Sequence, residues 1–312
     1  MDRDQLLGIV EPLLRCPTAP TFERAVAEQI CEQLGGHAGI RIKKDQFGNL
    51  IAARSGSAQP KYAFVAHMDH PGWRLQPKKE FLGGVPAEFR DKGKIRSFGE
   101  FGMWDLPAVR VAEDRLYSRA CDDLIGCAAI VGLLSFLEQS RSGASACGIF
   151  TRAEEVGFIG AIELVKSGLL DRNLTLISIE TSAERLPARM GAGPIIRVGD
   201  RVSIFDADVT AFMVEVAKSR GLSHQRCLMD GGTCEATAFQ LYGYRSGALS
   251  IALGNYHNCT ADSRIDTEYI DLNDLEGLVA LCIAIVTETR SVADTRDALR
   301  ERLEARLRDF RS

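Results

Sequence analysis

At 312 residues, with 46% hydrophobic and 26% charged content, the chain is long enough for one large core, or for a large domain carrying a small insertion, and too apolar for a disordered segment. Its formal charge of −4, with Lys and Arg scattered along the chain, offers no footprint for a nucleic-acid backbone or an anionic lipid surface, so neither is expected as a partner. Met1-Asp2-Arg3-Asp4-Gln5 places acids where a signal peptide needs a basic start, and no apolar run approaches a membrane span, which predicts a cytoplasmic protein. The nine cysteines form no CxxC pair and read as reduced, mostly buried thiols.

In chain order, apolar residues at helical spacing predict a helix over Asp4–Leu14, a break at Cys16–Pro20, and a second helix capped by Thr21 that runs to Leu34 and ends at Gly35-Gly36. Ile40–Lys43 alternates as a strand, Gln46–Asn49 reads as a turn, and Leu50–Ala53 resumes an extended run, which together give a hairpin. Tyr62–Ala66 is a buried strand with His67 and Asp69 just past its end. From Pro71 to Tyr117 glycines, prolines, lysines and aromatic residues (Trp73, Phe81, Phe89, Phe98, Phe101, Trp104) replace any helical periodicity. This stretch is read as a small, mainly β insertion at 71–117 within a catalytic domain formed by 1–70 and 118–312.

Helix and strand signals then alternate: helix over Asp123–Glu138, strand over Ala146–Thr151, helix over Gly157–Ser167 and strand over Leu174–Ile179. A looser, glycine-containing segment follows. Helices at Asp208–Arg220 and Thr233–Tyr242, a strand at Ser246–Leu253 and a helix at Leu272–Glu288 complete the pattern, and Val292–Phe310 reads as a solvated amphipathic helix. The alternation predicts an α/β fold with a central mixed sheet flanked by helices.

Five potential metal ligands fall at or near the ends of predicted strands: His67, Asp122, Glu155, Glu180 and His257. In an open α/β sheet the strand ends converge, so residues far apart in sequence can build one site there. His67 stands in His-Met-Asp, where the second acid can orient the imidazole. Asp122-Asp123 can serve as a helix cap, a reading that suffices for either acid alone. Glu154-Glu155 follows an apolar strand, where one carboxylate can bind metal while its neighbour takes a proton from water. His37 and His224 lack such a setting and read as structural or exposed.

The ordered set His67-Met68-Asp69, Asp122-Asp123 with Gly126, Glu154-Glu155-Val156-Gly157 with Gly160-Ala161, Glu180, Gly231-Gly232-Thr233 and Tyr256-His257 resembles the clan MH metallopeptidases. It is most similar to the dinuclear aminopeptidase family that includes the tetrahedral and glutamyl aminopeptidases, over about Asp45 to Asp271. The resemblance implies that His67 binds one metal with Asp69 supporting its ring, and that Asp122 bridges two metals. It further implies that Glu155 and His257 complete one ion's partners, that Glu180 completes the other's, and that Glu154 is the general base. Two divalent ions, zinc or cobalt, are expected.

Three positions depart from the family pattern: His70 where an acid is common, Leu124 where Arg is common, and Cys234-Glu235 where Asp often follows Gly-Gly-Thr. None is a ligand, and all bear on the substrate pocket. The insertion is shorter than is usual for the family, which favours a dimer over a large closed assembly. The leading expectation is a homo-oligomeric aminopeptidase acting on short peptides. A deacylase or carboxypeptidase-like amide hydrolase on the same scaffold, and a non-catalytic binding protein, are the alternatives.

Overall fold

A computed structural model describes residues 1–311. Helices α1 (Arg3–Arg15) and α2 (Arg24–Gly35) open the chain, followed by strands β1 (Ile40–Lys44), β2 (Leu50–Arg54) and β3 (Tyr62–His67). Six short strands come next, β4 (Gly72–Arg74), β5 (Glu80–Leu82), β6 (Ile95–Ser97), β7 (Phe101–Trp104), β8 (Arg110–Ala112) and β9 (Arg115–Ser118), with the helical turn α3 (Ala87–Arg90) after β5. The alternating part consists of α4 (Leu124–Gln139), β10 (Ala146–Thr151), α5 (Ile159–Ser167), β11 (Thr175–Ala183), β12 (Ile195–Gly199), α6 (Ala207–Ser219), β13 (Gln225–Leu228), α7 (Glu235–Leu241) and β14 (Arg245–Leu253). A single 3₁₀ turn at Tyr256–Asn258, β15 (Glu268–Asp271), α8 (Leu272–Thr287) and α9 (Val292–Arg311) end it.

An eight-stranded mixed sheet in the order β1-β2-β10-β3-β11-β14-β12-β13 forms the centre. The run β10, β3, β11, β14 is parallel. Alternation along β3 shows how the sheet is buried on both faces: Phe64 and Ala66 join a core with residues of α1, α2, α4, α6 and α8, while Ala63 and Val65 join a second core with residues of α5 and α7. Helix α4 is buried nearly all round because it lies under the sheet with α1 and α8 against its other sides.

Two smaller sheets sit apart, a four-stranded one of order β5-β4-β7-β6 and a three-stranded one of order β15-β9-β8. The first carries its own apolar cluster, with the Trp73 and Trp104 rings edge to face at 4.8 Å.

Several sequence expectations shift. The second helix begins at Arg24 rather than at Thr21, whose φ of 73° lies in the left-handed region; the Thr21 amide instead donates to Glu23 Oε1. Strands β12 and β13 occupy ground read as irregular or left unassigned, and β11 runs on to Ala183, so Glu180 lies inside the strand rather than past it. Helix α9 packs against α6 through its first turns, with Val292 and Thr295 buried, while Leu303, Leu307 and Phe310 further along are exposed.

Candidate metal centre

The parallel strands deliver their C-terminal ends to one place. His67 is the last residue of β3 and pairs with Thr151, the last of β10, so the loop carrying Glu154 and Glu155 starts beside it. Ser178 of β11 pairs with Val65 of β3, which puts Glu180, two residues on, level with His67. His257 follows β14 on the 3₁₀ turn, and Asp122 immediately precedes the capping residue of α4.

The carboxylate of Asp122 faces two imidazoles at once: Oδ1 is 3.4 Å from His67 Nε2 and Oδ2 is 3.5 Å from His257 Nε2. Glu155 Oε1 lies 3.0 Å from His257 Nε2, and Glu154 Oε2 and Glu180 Oε2 lie 3.9 and 4.0 Å from His67 Nε2. Three converging groups result: Asp122, Glu155 and His257; His67, Glu154 and Glu155; and His67, Asp123 and Glu180. Asp123, read only as a cap, does cap α4 by accepting from the Gly126 amide at 3.2 Å through Oδ1. Its other oxygen is buried without a hydrogen bond.

Asp69 acts by a route the sequence does not show. Its Oδ1 and Oδ2 accept from the amides of Glu154 and Glu155 at 3.0 and 3.1 Å, while His67 Nδ1 donates to the Asp69 backbone carbonyl at 3.0 Å. One residue thus holds both the imidazole and the acidic loop. Glu23 secures the same loop from below: Oε1 accepts from the Ala153 amide at 3.0 Å and Oε2 meets Arg152 Nε at 2.7 Å. Ala153 has a φ of 55°, a strained value that these bonds hold in place.

The electrostatics are those of a cation site. Burial raises the pKa of Glu154 well above the usual carboxylate range, with Glu155, Glu180 and Asp69 adding to it, and burial raises Glu180 in the same way. Burial alone would lower His67 and His257; the carboxylates around them outweigh it, and both are held well above an ordinary histidine. Against its own burial, Asp122 is held low by hydrogen bonds to those two imidazoles. Asp122 Oδ1, Glu155 Oε1 and His257 Nε2 are all buried without an aligned hydrogen bond, although Glu155 and His257 approach to 3.0 Å. Polar atoms that are buried, converge and are left unbonded await a shared partner, and carboxylate and imidazole donors suit a divalent metal. The residues fit the ions.

These groups floor a cavity of about 530 Å³, walled by Phe158, Leu186, Arg197, Leu228, Met229 and Tyr256. Two of the three departing positions stand behind or beside it. His70 is buried between the Asp122 carbonyl and Asn258. Cys234 is buried at the start of α7, its amide held by Asp200, and Glu235 is buried one residue further along. His224 Nδ1 donates to the Leu222 carbonyl at 2.9 Å.

Sheet, pocket and cluster define a hydrolase of the α/β metallopeptidase class. Residues 87–281 match the model of the M42 glutamyl aminopeptidases, and the chain belongs to that metal-dependent family of peptide hydrolases, within the clan MH dinuclear zinc peptidases. Solved structures share the fold. The aminopeptidase APDkam598 from the archaeon Desulfurococcus kamchatkensis is 21% identical, with 95% of this chain and 98% of that one covered and a TM-score of 0.77. A TET aminopeptidase from the marine sediment archaeon Thaumarchaeota archaeon SCGC AB-539-E09 is 18% identical, with 94% and 99% covered and a TM-score of 0.80. The Pyrococcus horikoshii TET1 peptidase, described as assembling into a tetrahedron or a large octahedral shell, is 21% identical, with 91% and 99% covered and a TM-score of 0.75.

Proposed function

We propose that the chain is a two-metal aminopeptidase that removes N-terminal residues from short peptides. The observation that carries this reading is Asp122, whose two carboxylate oxygens face separate imidazoles at 3.4 and 3.5 Å, the arrangement of a carboxylate shared by two ions. His67 and Glu180 would hold one ion and Glu155 and His257 the other, with zinc the best match to imidazole and carboxylate donors and cobalt the alternative. Bound divalent ions supply Lewis acidity toward the scissile carbonyl and acidify water.

The remaining work falls to the protein. Glu154 takes a proton from the attacking water at Oε2 and returns it to the leaving amine. Asp69 keeps Glu154 aimed through the backbone amides of the acidic loop. The cavity, with a charged floor and walls that mix apolar side chains such as Leu186 and Met229 with Arg197 and Arg201, seats the substrate's first residues against that loop.

We further read residues 71–117 as an inserted unit, supported by the separate four-stranded sheet and its aromatic cluster, and 1–70 with 118–312 as the catalytic domain. A homo-oligomer is supported by the assembly described for the P. horikoshii peptidase. Nine cysteines, none in a disulfide among the described residues, suit the reducing cytoplasm.

The test is metal content followed by hydrolysis of aminoacyl and N-acetyl-aminoacyl anilides, for the wild type and Glu154→Gln. Two metals per chain, cleavage of free-amine substrates alone, and loss of about 10²-fold or more in kcat with metal retained in Glu154→Gln are expected. Cleavage of acylated substrates only would move the function to deacylase. An active Glu154→Gln would refute the role of Glu154.

A further inference from the structure

Glu268 lies outside every motif the chemistry uses, yet it is fully buried and its carboxylate accepts from the backbone amides of two candidate ligands, Asp122 and His257, and of Cys121 beside the first. Oε2 accepts from the amides of Cys121 and Asp122 at 2.7 and 3.1 Å, and Oε1 accepts from the amide of His257 at 2.8 Å. One carboxylate therefore spans segments separated by 135 positions in sequence, on either side of the candidate centre.

On the other side of Asp122 a second link runs parallel. His70 Nδ1 donates to the Asp122 carbonyl at 2.6 Å. Its Nε2 lies 3.1 Å from Asn258 Oδ1, so one ring links the Asp122 backbone to the Asn258 side chain.

The segment being held needs holding. Asn255, His257 and Asn258 have φ values of 53°, 54° and 62°, the left-handed region that side-chain-bearing residues avoid. Asn and His enter this region more readily than most residues, yet a loop with three of them in four positions persists only where its surroundings fix it. That conformation is what turns the His257 ring toward Asp122 and Glu155.

We infer that Glu268, together with His70 and Asn258, is a positioning device that locks Asp122 and His257 into register and so sets the affinity and geometry of the metal site. The inference rests on the two-metal reading above. It gives the histidine that replaces a common acid a role in the support of the ligands, with no ligand role of its own.

The test uses full-length protein stripped of metal with a chelator. Zinc affinity is measured by competition with a chromophoric chelator, and the visible spectrum is recorded at saturating Co(II), for the wild type, Glu268→Gln and Asn258→Ala. Circular dichroism establishes folding of each. Glu268→Gln is expected to weaken zinc binding about 10- to 100-fold and to alter the Co(II) spectrum, with Asn258→Ala moving both in the same direction by less. A merely structural residue would lower the melting temperature and leave the folded protein's zinc affinity and Co(II) spectrum unchanged, and that result overturns the inference. Asn258→Ala trims a single amide and decides the matter if Glu268→Gln does not fold. Failure of the wild type to bind two zinc ions would instead overturn the two-metal reading, so the two failures are told apart.

Discussion

Glu235→Gln isolates one buried charge. Glu235 opens α7 with no exposed surface, and neither carboxylate oxygen has an aligned hydrogen bond, the Thr151 hydroxyl beside it donating weakly to the Ala66 carbonyl. Burial pushes its pKa up to about 8 from 4.5; Glu180 and Asp69 add to the rise, and His67 and Thr151 oppose it. The folded chain therefore keeps this proton up to about pH 8, whereas the unfolded chain releases it near 4.5. Between those values the unfolded state binds fewer protons, so stability falls as pH rises, by about 1.4 kcal/mol per pH unit and roughly 5 kcal/mol in all. Glutamine keeps the shape and stays neutral at every pH. Urea unfolding of chelator-treated protein at pH 5 to 9 should show the variant within about 1 kcal/mol of wild type at pH 5 and several kcal/mol more stable at pH 9. A difference between the two proteins that stays flat from pH 5 to pH 8 would refute the assignment of a buried, neutral carboxyl.

Two further changes probe the loop that carries Glu154. Arg152→Met strips the cation from Glu23, whose side chain has no exposed surface, and removes bonds from Arg152 to the Phe47 and Thr21 carbonyls at 2.6 and 2.8 Å. The expected cost is about 3–5 kcal/mol by urea unfolding, because an unpaired buried charge is left behind, together with reduced turnover; a loss under about 1 kcal/mol would remove Glu23 from the account. In Gly160→Ala the new Cβ would lie 2.6 Å from the Arg152 amide nitrogen and against its carbonyl, so α5 has to move off the loop. A loss of about 1–3 kcal/mol is expected in thermal unfolding, and a melting temperature within about 1 °C of wild type would show that the helix yields freely.

The difference between what the sequence disclosed and what it hid is physical. Long apolar runs, such as α4, α8, β10 and β14, were legible because most of each is buried, and burial keeps them apolar from end to end. Strand β13 was not, since Gln225-Arg226-Cys227-Leu228 lies at the sheet's edge and has only one neighbour to satisfy. Strand β12 holds a short apolar pair, Ile195-Ile196, between Pro194 and the bulge near Gly199, too brief to show a period. Thr21 looked like a cap because its residue type fits one; Glu23 displaced it by spending its carboxylate on the amides of Thr21 and Ala153.

The same division runs through the candidate site. The residues proposed to touch metal could be picked out because chemistry narrows them to imidazoles and carboxylates and topology places them at strand ends. The residues that aim them could not, because any acid can accept a backbone amide and nothing in a glutamate's neighbours records which amide it will find. Glu23 and Glu268 read as ordinary acids until folding sets one beneath Ala153 and the other between Asp122 and His257. Asp122 and Asp123 make the point within a single dipeptide. Both can cap a helix, yet only Asp123 reaches the Gly126 amide, and that frees Asp122 to face His67 and His257. Capping by the second acid is thus what makes the first available, and it follows that a change at Asp123 should disturb the site through Asp122 even where Asp123 binds nothing itself.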